Sequence, residues 1–486
     1  MSPLASTPVR VYVAPANPAG RNLERRLTAA GYDVLGLVDN LKRDEGVINY
    51  PVQAEAYDFL IVAEGRFQSD ICDGLLDKGF EADRLLLQVS GELSFKRYRR
   101  AVGRNILMGL SQFWCRTIIA AGRILPSTRV IYYAETFVDT NVLLAWSAHT
   151  RDEPGGAVLV AFDIPGGFAN DVLCKKNAVV NRRYLGFWHL VRARVIVVDH
   201  EYTTARFSEL RKTKRVVQLW HGLPYKALSG NSHFEGVCDH AFVSSSHWFN
   251  EHIFRTIFRA RAYYNFGYPR CDALLQSPEQ RDWIGSVPRA RLQMLQSKLG
   301  PLWVYMPTYR DNGENTLPLD FDSLNRFCRE HQRSLVLKLH PFLVGQLRTG
   351  SDALNSSGEL TPLNGLSNIF IYPPALNIYT WLADAEVLIT DYSSVALDFL
   401  VLRRPIVYFQ YDKVDYHNVR GAPLIDDQDY EAGRQVADQS ELHAELQRLT
   451  VGEPKTVMPQ DRLIEKYGVA QTEAVPQLLD YLRGLK

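Results

Sequence analysis

The chain has 486 residues, 46% of them hydrophobic and 22% charged, a composition that suits roughly two or three globular domains and excludes a disordered protein. The 55 Lys and Arg against 54 Asp and Glu leave a formal charge of +1, which argues against a general nucleic-acid binder. The six cysteines, Cys72, Cys115, Cys174, Cys238, Cys271 and Cys328, form no C-x-x-C pair and no repeated spacing, so neither a disulfide framework nor a zinc site is expected and a reducing cytosol fits.

The N-terminus lacks the charged-then-apolar build of a signal peptide, and no apolar run reaches about 18 residues, which predicts a soluble or peripheral protein. Strand-like Val9–Ala14, a turn at Asn17–Gly20, helical Leu23–Ala30 and strand-like Tyr32–Val38 make a β-α-β unit. Apolar runs at Phe59–Ala63 and Leu85–Val89 continue the alternation, predicting a small parallel α/β domain over residues 1–92. The turn Ala14-Pro15-Ala16-Asn17-Pro18-Ala19-Gly20 has one glycine where a dinucleotide fingerprint needs three, so no cofactor is expected there.

Residues 93–128 read as a basic linker. From Leu93 to Ala134 no acidic residue occurs, while Lys96, Arg97, Arg99, Arg100, Arg104, Arg116, Arg123 and Arg129 do. Val102, Ile106, Leu107, Leu110, Phe113, Trp114 and Ile118 recur at helical spacing, the pattern of an amphipathic basic helix. Such a helix either docks on an anionic membrane or packs as a linker against the next domain.

A second α/β unit is expected over 129–275. Its strands are Arg129–Ala134, Ala157–Phe162, Val195–Val198, Val216–Leu219 and Ala241–Val243, with a helix at Asn141–Ser147. A third, over 276–486, alternates strands at Leu302–Met306, Leu335–Leu339, Ile369–Tyr372, Val387–Thr390 and Ile406–Phe409 with helices at Leu324–His331, Ile378–Ala383 and Val395–Leu402. Two such units in sequence predict facing domains with a cleft between them.

Polar residues gather where these strands stop, the place at which open parallel sheets bind ligands. His221 follows the apolar run Val216-Val217-Gln218-Leu219-Trp220, and an imidazole on such a loop can take a proton from an attacking hydroxyl. Thr308 and Arg310 follow Leu302–Met306, and a guanidinium fork suits phosphate. His340 stands before Pro341, which stops its strand. Thr390-Asp391-Tyr392-Ser393-Ser394 leads from a buried strand into a helix, with Ser393 or Ser394 as N-cap and free backbone N–H groups that suit an anion. Asp391 itself repels phosphate; it orients the loop, binds a sugar hydroxyl or contacts an acceptor. Asp320-Phe321-Asp322 reads as an N-cap, and no metal box, G-x-S-x-G elbow or Walker loop is present.

Four motifs carry a family resemblance: Gln218-Leu219-Trp220-His221-Gly222-Leu223-Pro224-Tyr225-Lys226; Gly267-Tyr268-Pro269-Arg270-Cys271-Asp272; Met306-Pro307-Thr308-Tyr309-Arg310-Asp311; and Ile389-Thr390-Asp391-Tyr392-Ser393-Ser394 through Asp398-Phe399 to Arg404-Pro405. In order along residues 130–416, they resemble the CDP-glycerol glycerophosphotransferases, the teichoic acid primases and polymerases. The resemblance implies a GT-B-like pair of Rossmann-type domains, preceded here by an extra N-terminal α/β domain. It implies transfer of glycerol phosphate from CDP-glycerol to a hydroxyl of a polyol-phosphate, lipid-linked or capsule glycan acceptor, without metal or other cofactor, releasing CMP. It assigns His221 as the catalytic base and places His340 near the donor phosphates. Thr308, Arg310, Asp391, Ser393 and Ser394 become donor-binding residues, with Gly222, Lys226, Arg270 and Asp398 in support. A cytoplasmic enzyme, peripheral on the inner membrane face, is expected. Three alternatives stay open: a ribitol-phosphate transferase using CDP-ribitol, a nucleotide-sugar glycosyltransferase, and a non-catalytic membrane-associated scaffold.

Overall fold

The computed structural model describes residues 8–16, 18–39, 47–48, 57–64, 68–77, 79–89, 93–98, 114, 117–122, 124–125, 127, 129–134, 140–161, 164, 168, 171–180, 185–200, 210–226, 238–308, 310, 317–340, 343–344, 359–420, 423–451 and 459–485. Two compact units divide at residues 114 and 115.

Among the described residues, the first unit forms one six-stranded sheet. Its strands are β1 (Arg10–Ala14), β2 (Asp33–Val38), β3 (Val47–Ile48), β4 (Phe59–Val62), β5 (Leu85–Val89) and β6 (Ser94–Arg97), in the spatial order β3-β2-β1-β4-β5-β6. Strand side chains alternate between faces, so both faces of β1 must be covered. Val11 and Val13 pack with Leu23 and Leu27 of the helix Pro18–Ala29. Tyr12 and Ala14 pack with Cys72 and Leu75 of the helix Gln68–Asp77. The sheet does not stop at residue 92: β6 returns antiparallel to β5, inside the segment read from sequence as linker. In the turn after β1, the Ala16 amide donates to Asp39 Oδ2 at 3.1 Å.

Among the described residues, the second unit holds two seven-stranded sheets. The first of these comprises β7 (Val130–Ala134), β8 (Ala157–Ala161), β9 (Ala178–Val180), β10 (Val195–Val198), β11 (Arg215–Gln218), β12 (Ala241–Val243) and β13 (Tyr263–Tyr264), ordered β13-β12-β11-β10-β7-β8-β9 and parallel throughout. The other comprises β14 (Leu302–Met306), β15 (Ser334–Leu337), β16 (Thr361–Pro362), β17 (Ile369–Ile371), β18 (Ala385–Thr390), β19 (Ile406–Phe409) and β20 (Arg434–Val436), ordered β16-β17-β15-β14-β18-β19-β20. Among the described strands, only β16 is antiparallel in it. The Val- and Ile-rich runs expected as strands are buried on both faces, as parallel strands between helix layers must be.

Two boundaries differ from the sequence reading. The helix Ala474–Gly484, placed by sequence order with the second sheet, packs on the first: Leu478 and Leu482 join Val130, Val195 and Trp146 in one core. Each such leucine contributes on the order of 2 kcal/mol of burial. Asp272 holds the start of this helix by accepting from the Ala474 and Val475 amides at 2.6 and 2.8 Å. The stripe Val102, Ile106, Leu107, Leu110 and Phe113 lies outside the described residues. Of the rest of the basic segment, Ile118 and Ile119 pack into the core under β7 and β8, while Trp114, Ile124 and Leu125 are exposed. Among the described residues, no helix is long and apolar enough to cross a membrane.

Candidate active site

The parallel strands β10 and β11 end side by side, and each delivers an imidazole. Beyond β11, Trp220 takes a left-handed conformation with φ of +55°, which costs a residue with a Cβ roughly 1–2 kcal/mol. Three contacts hold it there. The Trp220 amide donates to Gln218 Oε1 at 2.9 Å, its carbonyl accepts from Asn141 Nδ2 at 2.7 Å, and the Arg270 amide donates to Asn141 Oδ1 at 3.0 Å. The reversal turns His221 outward, where its side chain presents an exposed edge.

His221 Nδ1 lies 3.0 Å from the Asp199 carbonyl oxygen, which can only accept. Nδ1 therefore carries the hydrogen, and the lone pair is left on Nε2. Protein packed around the ring desolvates it despite that edge and lowers its pKa to about 3. The neighbouring His200 pushes in the same direction, Asp199 opposes, and Arg270 adds to the lowering. His221 is thus neutral across the physiological range and ready to accept a proton.

The second sheet supplies its loops from β14, β15 and β18, also at their carboxyl ends. Asp391, fully buried, accepts from the Thr308 amide at 2.9 and 3.0 Å and from Arg310 Nη1 at 2.8 Å. Arg310 also grips Asp412 through Nε at 2.6 Å and Nη2 at 3.0 Å, with Tyr392, Tyr411 and Tyr416 around its guanidinium. Burial alone would weaken this cation, but Asp391 and Asp412 outweigh it and push the Arg310 pKa up. Asp391 and Arg310 thus brace the β14 and β18 loops against each other, and one guanidinium is matched by two carboxylates. Of the functions open to Asp391, loop orientation is the one its contacts fit.

Thr308 Oγ1 is buried with no hydrogen-bond partner among the described residues. Ser393 Oγ accepts from the Val395 amide at 3.4 Å, and the Ser393 carbonyl accepts from Tyr430 Oη at 2.8 Å. The helix that follows is shorter than expected, Val395–Phe399, continued as the 3-10 turn Leu400–Leu402, so its dipole is small. His340 is exposed at the rim of the second sheet, its carbonyl accepting from the Leu343 amide at 2.9 Å. Lys226 is partly buried. Tyr309, Asp311 and Pro341 lie outside the described residues.

The two sheets' loops meet at Gly222. A Cβ there would lie 2.6 Å from Arg270 Nη2 and 2.7 Å from Ser394 Oγ, at a φ of +136° that L side chains rarely adopt. Behind this contact, Arg270 donates through Nη1 to the His221 carbonyl at 2.8 Å and pairs through Nη2 with Asp398, which also accepts from Tyr379 Oη at 2.7 Å. The loops that carry His221 and Ser394, read from separate motifs, therefore touch at Gly222.

Asn141, Asp199, His200, Tyr379 and Asp412 complete the arrangement and were not picked out from the sequence. The Asp199-His200 pair directly after a Val-rich strand was its one available signal. The Asp320-Phe321-Asp322 triplet is an N-cap: Asp320 Oδ1 accepts from the Asp322 and Ser323 amides at 3.0 and 3.1 Å. Among the described residues, no group of three or more His, Cys, Asp or Glu could hold a metal ion.

Two largely parallel sheets whose carboxyl-end loops meet define a GT-B-like fold. Solved structures of the wall teichoic acid polymerase TagF share it: one superposes with a TM-score of 0.56 at 16% identity, covering 78% of this chain and 96% of that one. Residues 129–467 match the family described as CDP-glycerol:poly(glycerophosphate) glycerophosphotransferase, and the chain belongs to that family. A teichoic acid poly(glycerol phosphate) polymerase of Bacillus spizizenii is 27% identical over 231 residues, 42% of this chain and 54% of the relative. A teichoic acid ribitol-phosphate polymerase, TarK of Staphylococcus aureus, is 23% identical over 248 residues, 48% of this chain and 45% of the relative. The chain thus spans about half the length of these curated relatives.

Proposed function

We propose that this protein transfers glycerol phosphate from CDP-glycerol to the hydroxyl of a polyol-phosphate, lipid-linked or cell-surface glycan acceptor, releasing CMP. The observation that carries this reading is the His221 imidazole, with Nδ1 held by the Asp199 carbonyl and its loop seated against Ser394. In the reaction, His221 Nε2 takes the proton of the acceptor hydroxyl as the oxygen bonds to the β-phosphorus. The bond from that phosphorus to the bridging oxygen breaks, and CMP leaves with the electron pair. Negative charge develops on phosphate oxygens, and donors fixed in place before the reaction stabilise it best. Ser393, Ser394, Thr308 and His340 are our candidates for those contacts, with Arg310 and Asp391 fixing the loops that carry them. No metal is required in this scheme.

Arrival of an anionic diphosphate beside His221 would raise its pKa from about 3 toward the range in which a base works best. CDP-ribitol as donor is the second reading, favoured by the ribitol-phosphate polymerases among the relatives. Incubation with CDP-glycerol, CDP-ribitol and UDP-sugars, each with a polyol-phosphate acceptor, separates these readings by whether CMP or UDP is released. We expect CMP from CDP-glycerol and its near-complete loss in His221→Ala with the fold intact. Turnover at the wild-type rate in that variant would remove the base assignment. We place the reaction at the inner face of the cell membrane, and flotation with anionic vesicles at low salt tests that placement.

A further inference from the structure

The scheme above leaves one buried charge and one imidazole beside His221 without a task. Asp199 is 1% exposed and serves both histidines by different atoms. Its neutral main-chain carbonyl accepts from His221 Nδ1 at 3.0 Å, whereas its carboxylate Oδ1 accepts from His200 Nδ1 at 2.9 Å and Oδ2 from the Val142 amide at 3.3 Å. The two rings are stacked, with centroids 4.6 Å apart and planes inclined by 18°.

We propose that His200 is a positioning residue for the transfer: it holds the proton that the Asp199 carboxylate attracts, and so keeps the stacked His221 in its proton-accepting form. This rests on His221 being the base. A carboxylate stabilises an imidazolium far more than a carbonyl does, so a proton entering the pair settles on His200. A second cation 4.6 Å away is then opposed by Coulomb repulsion that a low-dielectric setting strengthens. Arg270, whose Nη1 lies 2.8 Å from the His221 carbonyl, also acts on the His221 ring, and Asp398 pairs with Arg270 from behind. After burial, His200 is the largest influence lowering the His221 pKa. During transfer the acceptor O–H bond breaks and an N–H bond forms on His221 Nε2, while His200 keeps its proton throughout.

The test compares wild type with His200→Phe, which keeps a stacking ring, and His200→Asn, which keeps a donor to Asp199; both lack the charge. The pH dependence of kcat/KM for CMP release is measured, together with the titration of the His221 ring nitrogens in 15N-histidine-labelled protein. Both variants are expected to raise the midpoint of the acid limb, and of the ring titration, by on the order of one unit. Unmoved midpoints with activity lowered at every pH, as a packing role would give, overturn the proposal. His221→Ala is assayed alongside. If it is active, the base assignment fails and takes this role with it; if it is inactive and the ring titration does not move, only the role of His200 fails.

Discussion

Arg270 and Asp398 form a buried ion pair that ties the helix Pro269–Leu275 of the first sheet to the helix Val395–Phe399 of the second. Burial opposes the guanidinium charge, but the Asp398 carboxylate outweighs it and pushes the Arg270 pKa up. Removing either partner strands a charge in the interior, at a cost of about 3–5 kcal/mol. We expect Arg270→Ala and Asp398→Ala each to lose that much in denaturant unfolding, and the double variant Arg270→Met, Asp398→Leu to lose much less. CMP release should stay low in the double variant, because the His221 carbonyl has still lost its donor.

Gly222→Ala tests the contact between the loops. The added methyl meets Ser394 Oγ and Arg270 Nη2, and the backbone there is left-handed, so the strain is about 1–3 kcal/mol. The expected outcome is a lower melting temperature and about tenfold or greater loss of CMP release. Unchanged kinetics would show that the two loops need not touch.

Asp391 and Ser394 belong to one motif but should fail differently. Asp391→Ala leaves Arg310 with one carboxylate and the Thr308 amide without an acceptor, so a stability loss of about 3–5 kcal/mol is expected. Ser394→Ala should melt like wild type while CMP release falls about tenfold or more. A stable Asp391→Ala variant with only a raised donor KM would assign Asp391 a direct substrate contact.

The lowered pKa of His221 fixes the sign of the pH dependence. The base form is present above the pKa of about 3, so activity is lost only as pH falls toward that value. The acid limb of kcat/KM for CMP release should lie below about pH 5, well under an ordinary histidine's. A limb near 6.5 would show that the imidazole is solvated as in a free peptide.

Strands such as Val130–Ala134 and Val195–Val198 were legible because parallel strands, buried on both faces, must be continuously apolar. His221, Thr308, Asp391 and Ser393 were legible as strand-end polar residues. Edge strands of two or three residues, such as Tyr263–Tyr264 and Arg434–Val436, carry too little pattern to be read. Arg310 was legible as a guanidinium at a strand end, but its pairing with Asp391 and Asp412 depends on contacts 81 and 102 residues away in sequence. Asn141 and Asp199 act through long-range hydrogen bonds that no local spacing encodes.

The return of the helix Ala474–Gly484 to the first sheet means that the polypeptide passes between the two halves twice, once on leaving β13 and once on coming back from the second sheet. A pair of bodies strung on one thread can swivel freely, whereas a pair strung on two is confined to rocking about the line joining the crossings. Two crossings limit how the halves can part, and Asp272, which accepts from the Ala474 and Val475 amides, fastens the second of them to the first. A lesion in the last helix would therefore be felt beneath His221, at the far end of the fold from where the sequence places it.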